Sequence, residues 1–119
     1  MSDPATTDSE LTAERLAEMV GGGAQLIDVR RPYEWEAGRI AGARHIEMNE
    51  LTANAHSIGK DRPVIFYCRT GNRSGLARDA FREAGYDAYN LAGGIEGWVA
   101  EGRELDPKDG VVRPPLPAS

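Results

Sequence analysis

The only cysteine of this 119-residue chain, Cys68, lies between the apolar run VIFY and a segment with helical periodicity, in the sequence CRTGNRS. Gly71 permits a tight turn, so the backbone amides after the cysteine can converge on one point and form an anion-binding nest. These amides, the positive end of the following helix and the side chains of Arg69 and Arg73 all favour a thiolate over a thiol. The segment therefore predicts an ionised, nucleophilic Cys68.

A cysteine of this kind can carry a sulfur atom as a persulfide, because the negative charge then only moves outward by one sulfur. The predicted reaction is a two-step covalent transfer. The thiolate attacks the outer sulfur of a donor such as thiosulfate and releases sulfite, and an acceptor nucleophile later takes the sulfur. The forked guanidinium groups of Arg69 and Arg73 are the candidates for binding the donor anion. Thr70 and Asn72 are placed to add hydrogen bonds.

The alternative for a lone cysteine at the end of an apolar strand is that it is only a small buried hydrophobe, which is the commoner case. That interpretation gives no reason for arginines at the start of a helix, where their charge opposes the helix dipole. Charges placed against the dipole indicate an absent anion. We therefore favour the catalytic or anion-binding interpretation.

Two other functions fit parts of the sequence. A cysteine phosphatase or an arsenate reductase also holds a tetrahedral oxyanion against a thiolate, but such enzymes have an arginine six positions after the cysteine. That position is Ser74 in this chain, and Arg73 comes one residue earlier, so the smaller loop favours a single sulfur. The third function is a non-catalytic or sulfur-carrier module that acts through a partner protein, for which the tail VVRPPLPAS would be a docking segment.

The segments around the cysteine predict an α/β domain with a mainly parallel sheet and helices on both faces, because strands alternate with helices. The predicted strands are QLIDV, ARHIE, PVIFYC and DAYNL. The predicted helices are one capped by Thr12, short ones in RPYEWEAG and GGIEGWVAEG, one near Asn49 to Ser57, and one from Ser74 to Ala84. PVIFYC is apolar throughout, as in a strand buried on both faces. Its carboxyl end carries Cys68, and ligand sites of such sheets gather at these ends.

The composition is that of one compact domain, which we place at residues 11–105. Residues 1–10 predict a flexible N-terminal segment, and residues 106–119 predict an extended, proline-containing tail. The N-terminal segment has neither the basic start nor the apolar stretch of a signal peptide, so we expect a cytoplasmic protein. A net charge of −5 and short apolar runs argue against nucleic-acid and membrane binding, and we expect a monomer.

A single cysteine excludes an internal disulfide, a Cys-x-x-Cys pair and a thiolate-rich zinc site. With two histidines, scattered carboxylates and no glycine motif for a dinucleotide or a triphosphate, we expect neither a metal nor an organic cofactor. The chain has no second thiol that could take the sulfur from Cys68. We therefore expect an external acceptor, either cyanide, a thiol or a partner protein.

Three segments in order resemble the rhodanese superfamily, which includes the thiosulfate sulfurtransferases, over roughly residues 11–105. LIDVRRPYEWEAGRIAGARHI is similar to the early signature, CRTGNRS to the active-site loop, and LAGGIEGW to the late Gly-Gly signature with its tryptophan-bearing helix. The resemblance implies a single-domain member with a five-stranded parallel sheet, a catalytic Cys68 and substrate contacts from the loop. The loop residues are Arg69, Thr70, Gly71, Asn72, Arg73 and Ser74.

Asp28 and Arg30 match positions that support the site in this superfamily. A carboxylate and an arginine at the end of a neighbouring strand could orient the loop or an incoming anion, and a structural salt bridge is an equal alternative. Arg39 stands where the superfamily often has histidine, and we expect it outside the cradle. The tryptophans and histidines fit packing or surface roles better than catalysis. These residues are Trp35, Trp98, His45 and His56.

Overall fold

Five parallel strands form one sheet in the computed structural model, which describes residues 9–114. The strands are β1 (Glu10–Leu11), β2 (Gln25–Asp28), β3 (Arg44–His45), β4 (Val64–Tyr67) and β5 (Ala88–Leu91). Their order across the sheet is β1-β5-β4-β2-β3, and every neighbouring pair is parallel. All carboxyl ends therefore lie at one edge of the sheet, and β4, which leads into Cys68, is the central strand.

Helices connect the strands and cover both faces of the sheet. They are α1 (Ala13–Gly21), α2 (Pro32–Ala37), α3 (Leu51–Asn54), α4 (Asn72–Glu83) and α5 (Gly94–Ala100), with 3₁₀ turns at Met48–Glu50 and Ala55–Ser57 on either side of α3. No helix within the described residues is long and apolar enough to cross a membrane.

The two faces of β4 face two separate hydrophobic clusters, because side chains alternate along a strand. Ile65 and Tyr67 belong to the cluster that includes residues of α1 and α5. Val64 and Phe66 belong to the other, which also contains Cys68 and residues of α4. The four strand residues are fully buried. The predicted α/β fold with a parallel sheet and helices on both faces is therefore confirmed.

Two departures from the predicted elements bear on the site. Helix α4 begins at Asn72 rather than Ser74, because Gly71 has a φ of 103° and its carbonyl accepts the first helical hydrogen bond, from the Gly75 N–H. Half of the predicted active-site loop is therefore the first turn of this helix. Strand β1 is absent from the sequence prediction, since its two residues are too few to show a period.

The domain extends beyond the predicted limits of residues 11–105. Ser9 accepts a hydrogen bond from the Asn90 N–H at 2.8 Å, and Glu10 pairs with β5, so these residues belong to the sheet. In the predicted tail, Asp106 bridges to Arg39 and the Val111 N–H donates to the Ala37 carbonyl at 2.9 Å. The remaining parts of the two predicted end segments, residues 1–8 and 115–119, lie outside the described residues.

Candidate active site

Cys68 directly follows the central strand and is 1% exposed. Its carbonyl accepts the Ile95 N–H at 2.9 Å, and the carbonyl of Arg69 accepts the Glu96 N–H at 3.0 Å. These amides belong to the first turn of α5, so that helix fixes the start of the loop. The close approach needs Gly94, because a Cβ at this position would lie 2.3 Å from the Arg69 oxygen and 2.6 Å from the Cys68 oxygen.

The loop turns back over the sulfur at Gly71. The Gly71 N–H donates to Cys68 Sγ at 3.1 Å, and Ser74 Oγ lies 3.3 Å from the same sulfur. Only a glycine adopts the φ of 103° at this position without strain. The turn and the first residues of α4 therefore bring backbone amides and one hydroxyl to the sulfur.

The pKa of the Cys68 thiol reflects two opposed effects. Burial raises it, whereas hydrogen bonds from the Ser74 side chain, and then from the backbone amides of Ser74, Gly71 and Thr70, lower it. The hydrogen bonds outweigh burial, and the pKa lies below the ordinary thiol value. The arginines that we expected to favour the thiolate are not among these largest contributions. The thiolate is instead favoured by local dipoles, which act because they are fixed around the sulfur.

The loop arginines are paired with carboxylates. Arg69 forms an ion pair with Glu96 of α5, and Arg73 forms a longer one with Glu34 of α2, at 3.4 Å. The Glu34 side chain is 1% exposed, so Arg73 also compensates a buried charge. We interpreted arginines against the helix dipole as a sign of an absent anion. The carboxylate partners Glu96 and Glu34 neutralise part of that charge, so the position of the arginines is only weak evidence for an absent anion.

A cavity of about 340 Å³ lies against the loop and the start of α2. Its walls contain three arginines, and one of them, Arg31, forms no ion pair within the described residues. With three arginines and one glutamate, the lining carries a net positive charge and suits a small anion. The lining residues are Arg31, Tyr33, Glu34, Arg69, Thr70, Asn72 and Arg73. It therefore brings together four of the predicted loop residues.

Asp28 and Arg30 form a salt bridge of 2.7 Å in which neither side chain is exposed. Arg30 also donates to the Gly38 carbonyl at 2.8 Å, and its own carbonyl lies 2.7 Å from His45 Nε2. These contacts join β2 to β3 and to the end of α2, and none of them reaches the Cys68 loop. Of the two interpretations that the sequence left open, the geometry favours the structural salt bridge.

The residues that we assigned to packing lie away from the sulfur. The Trp35 ring stacks on His45 with centroids 5.0 Å apart, and the Arg39 guanidinium lies 4.5 Å from the Trp35 ring centre. Trp98 donates to the Glu104 carbonyl at 2.9 Å and packs in the core. Arg39 does not line the cavity, as we expected.

Four polar residues of the site did not emerge from the sequence analysis. Glu34 and Glu96 hold the loop arginines. Asn90 accepts a hydrogen bond from Ser74, and Glu10 in turn accepts one from the Asn90 amide. The sequence does give one indication of Asn90, because it is a polar residue inside the otherwise apolar strand AYNL. Within the described part of the chain, no group of three or more His, Cys, Asp or Glu side chains is arranged to hold a metal ion.

Comparison with known proteins gives a consistent relationship. A family model for the rhodanese-like domain matches residues 12–101. The uncharacterized protein YqhL of Bacillus subtilis is 46% identical over 76 residues, which are 63% of this chain and 60% of YqhL. Thiosulfate sulfurtransferase GlpE of Pseudomonas aeruginosa is 33% identical over 99 residues, which cover 82% of this chain and 87% of GlpE.

The fold comparison agrees with the sequence comparison. The crystal structure of a rhodanese-related protein from Thermoplasma volcanium matches with a TM-score of 0.75 and 29% identity, and the match covers 81% of this chain and 95% of the other. Fold, loop and sequence thus point to one family. This chain belongs to the rhodanese-like domain family.

Proposed function

We propose that this protein is a sulfurtransferase that carries a sulfane sulfur as a persulfide on Cys68. The observation that carries the proposal is the environment of Sγ, which lies 3.1 Å from the Gly71 N–H and 3.3 Å from Ser74 Oγ. The Gly71 amide is a fixed donor and the Ser74 hydroxyl can turn to donate, so both favour a thiolate and stabilise the anion that follows it. Membership of the rhodanese-like family supports sulfurtransferase activity in general.

The proposed donor is thiosulfate or a similar anion. The Cys68 thiolate attacks the outer sulfur, a new S–S bond forms, and the old S–S bond breaks as sulfite leaves with its electron pair. An acceptor nucleophile then attacks the outer sulfur of the persulfide, and the thiolate is restored. The name of the relative GlpE, a thiosulfate sulfurtransferase, supports this choice of donor.

The arginines of the cavity are proposed to bind the oxyanion end of the donor. Among the described residues Arg31 has no ion pair to give up, whereas Arg73 holds Glu34 with distances of 3.4 and 3.5 Å. Those distances are longer than a strong charge-assisted hydrogen bond, so the Arg73 guanidinium can turn partly toward an anion. Thr70 and Asn72 line the same cavity and supply further polar groups.

The acceptor is proposed to come from outside the chain. Cys68 is the only cysteine, so no second thiol of the same chain can resolve the persulfide. Cyanide, a small thiol or a partner protein could each take the sulfur.

The test is the mass of the reduced protein after anaerobic incubation with thiosulfate. We expect an adduct of one sulfur atom that cyanide removes as thiocyanate, and no adduct on Cys68→Ser. Failure to form the adduct, with Cys68 still open to alkylation, would reject thiosulfate as the donor. An inert Cys68 would reject the persulfide mechanism and favour a binding module.

A further inference from the structure

A row of polar side chains extends from Cys68 through Ser74 and Asn90, and neither of these two residues lines the cavity. Ser74 and Asn90 are 0% and 3% exposed, and Ser74 Oγ lies 2.6 Å from Asn90 Oδ1. The same Oγ lies 3.3 Å from Cys68 Sγ. The serine hydroxyl therefore stands between two groups that can each accept its proton.

The orientation of the Asn90 amide is fixed by its other contacts. Asn90 Nδ2 lies 3.1 and 3.2 Å from the two carboxylate oxygens of Glu10, and 3.2 Å from the Gly71 carbonyl. All three partners are acceptors, so the NH₂ group must face them and Oδ1 must face Ser74. Glu10 is itself held by Arg78 at 2.6 Å. Strand β1, through Glu10, thus determines that Asn90 Oδ1 and not Nδ2 faces the Ser74 hydroxyl.

A serine hydroxyl has only one proton to donate. Asn90 Oδ1 cannot donate, so the contact of 2.6 Å between the two oxygens needs the serine proton between them. Ser74 then presents a lone pair to Sγ. A thiol S–H can donate to that lone pair, whereas a thiolate is repelled by it. The contact with Asn90 therefore suits a neutral sulfur, and the Ser74 hydrogen bond that lowers the pKa of Cys68 forms when the hydroxyl turns to an ionised sulfur.

We propose that Asn90 is a positioning residue that holds the Ser74 proton while Cys68 is neutral and releases it to Sγ when Cys68 is ionised. On ionisation the Cys68 proton leaves to solvent, and the Ser74 hydroxyl rotates about its C–O bond without losing its own proton. The next step rests on the proposed function. In the persulfide the negative charge lies on the outer sulfur, so Sγ is again neutral and the Ser74 hydroxyl turns back to Asn90. Asn90 thus competes with the thiolate for the Ser74 proton, and it accepts that proton again once Cys68 carries the sulfur.

Replacing Asn90 should leave the other groups of the loop in place. The Gly71 carbonyl retains the Gly75 N–H at 3.0 Å, and Glu10 retains Arg78. The charged groups around Cys68 come from several elements and are unchanged by the substitution. They are Arg69 and Arg73 with their partners Glu96 and Glu34, the cavity residue Arg31, and the pair Glu10 and Arg78.

The experiment measures the pH dependence of alkylation, which reports on Cys68 alone because the chain has no other cysteine. In Asn90→Ala, Ser74 is free to donate to the thiolate, and we expect the pKa of Cys68 to fall by about 0.5–1 unit, the size of one neutral hydrogen bond. Alkylation at a pH below both pKa values then becomes about 3–10 times faster. If the alanine variant folds poorly, Asn90→Val takes its place, because valine suits a strand and also lacks the acceptor oxygen. We expect the same fall in the pKa of Cys68.

A double-mutant cycle separates this role from a structural one. In a Ser74→Ala background, Asn90→Ala should no longer move the alkylation profile, because the hydroxyl that it controls is gone. The matched control is Asn54→Ala, since Asn54 is a half-buried asparagine outside the Cys68 loop whose side chain donates to the Glu50 carbonyl at 2.9 Å. An unchanged or raised pKa in both Asn90 variants, or a shift that persists without Ser74, would overturn the proposal.

The alkylation result is independent of sulfur transfer. If wild type and Asn90→Ala both fail to take sulfur from thiosulfate while the alkylation profile shifts as expected, only the proposed donor chemistry is wrong. If both take up sulfur and the profile does not shift, only the role of Asn90 is wrong. If both proposals hold, Asn90→Ala takes up sulfur from thiosulfate at low pH faster than wild type, by the same factor as for alkylation.

Discussion

The ionisation of Cys68 couples the site to the stability of the fold. Because the pKa is lower in the folded protein than in the unfolded chain, the folded state binds fewer protons between the two values. The resulting stabilisation is fully present above the unfolded thiol pKa of about 8.5 and is lost as the pH falls through the folded value. We therefore expect wild type to gain stability relative to Cys68→Ser from pH 6 to pH 9 in urea unfolding. A constant difference would contradict a lowered pKa.

The arginines of the cavity should separate into two classes when each is replaced by alanine. Arg31 forms no ion pair with any residue of the described range 9–114, so Arg31→Ala should raise the KM for thiosulfate about tenfold, the loss of one hydrogen bond to a charged group, at unchanged stability. Arg73→Ala leaves the buried Glu34 carboxylate without its guanidinium and should also lower the melting temperature. Steady-state kinetics with thiosulfate gives the KM of the two variants, and thermal unfolding gives their melting temperatures. Arg62→Ala, at a site remote from this cavity, is the control.

At the scale of elements, α5 fixes the loop through the turn at Gly94. Gly94→Ala places a Cβ 2.3 Å from the Arg69 oxygen at a φ of 62°, so the helix or the loop must move. Gly102→Ala has the same kind of backbone, with a φ of 83°, but no atom within 4 Å of the new Cβ. Both variants should lose about 1–2 kcal/mol for the left-handed backbone. Only Gly94→Ala should lose a further amount of about 1–3 kcal/mol and slow alkylation of Cys68.

Urea unfolding and iodoacetamide alkylation of the two glycine variants test this role of α5. Equal losses of stability in both, with normal alkylation, would mean that the loop does not depend on the close contact at Gly94.

The elements around the loop were predictable where the sequence pattern is local. The apolar run PVIFYC, the glycine turn and the helix after it predicted Cys68 at the carboxyl end of a buried strand, as the structure has it. The partners of the arginines were not predictable in this way. Glu34 and Glu96 lie 39 and 27 residues from the arginines that they bind, and only the parallel sheet brings them together. Strand β1 was missed for the same reason, because pairing with β5 alone defines it.

At the scale of the whole molecule, the C-terminal segment packs against the end of α2, a helix that begins at the cavity. Residues 106–112 follow the last helix, bridge to Arg39, donate from Val111 to Ala37 and pack Val112 against the core. Their contacts lie at the end of α2, the helix whose first turn carries Glu34 and the cavity residue Tyr33. The composition of the segment predicted an extended tail and not this contact, because proline-rich segments have no periodicity that reveals packing.

A chain that ends at Leu105 should therefore fold less stably and bind thiosulfate less well, while Cys68 keeps its reactivity. The truncation removes the backbone partners of Arg39 and Ala37 and uncovers Gly38, whose carbonyl accepts from the buried Arg30. We expect a lower melting temperature and a higher KM, with an alkylation profile close to wild type because β4, α4 and α5 are intact. A chain that ends at Pro114 keeps every described contact and should match wild type. Equal melting temperatures and KM values for the two truncations would show that the C-terminal segment does not support α2.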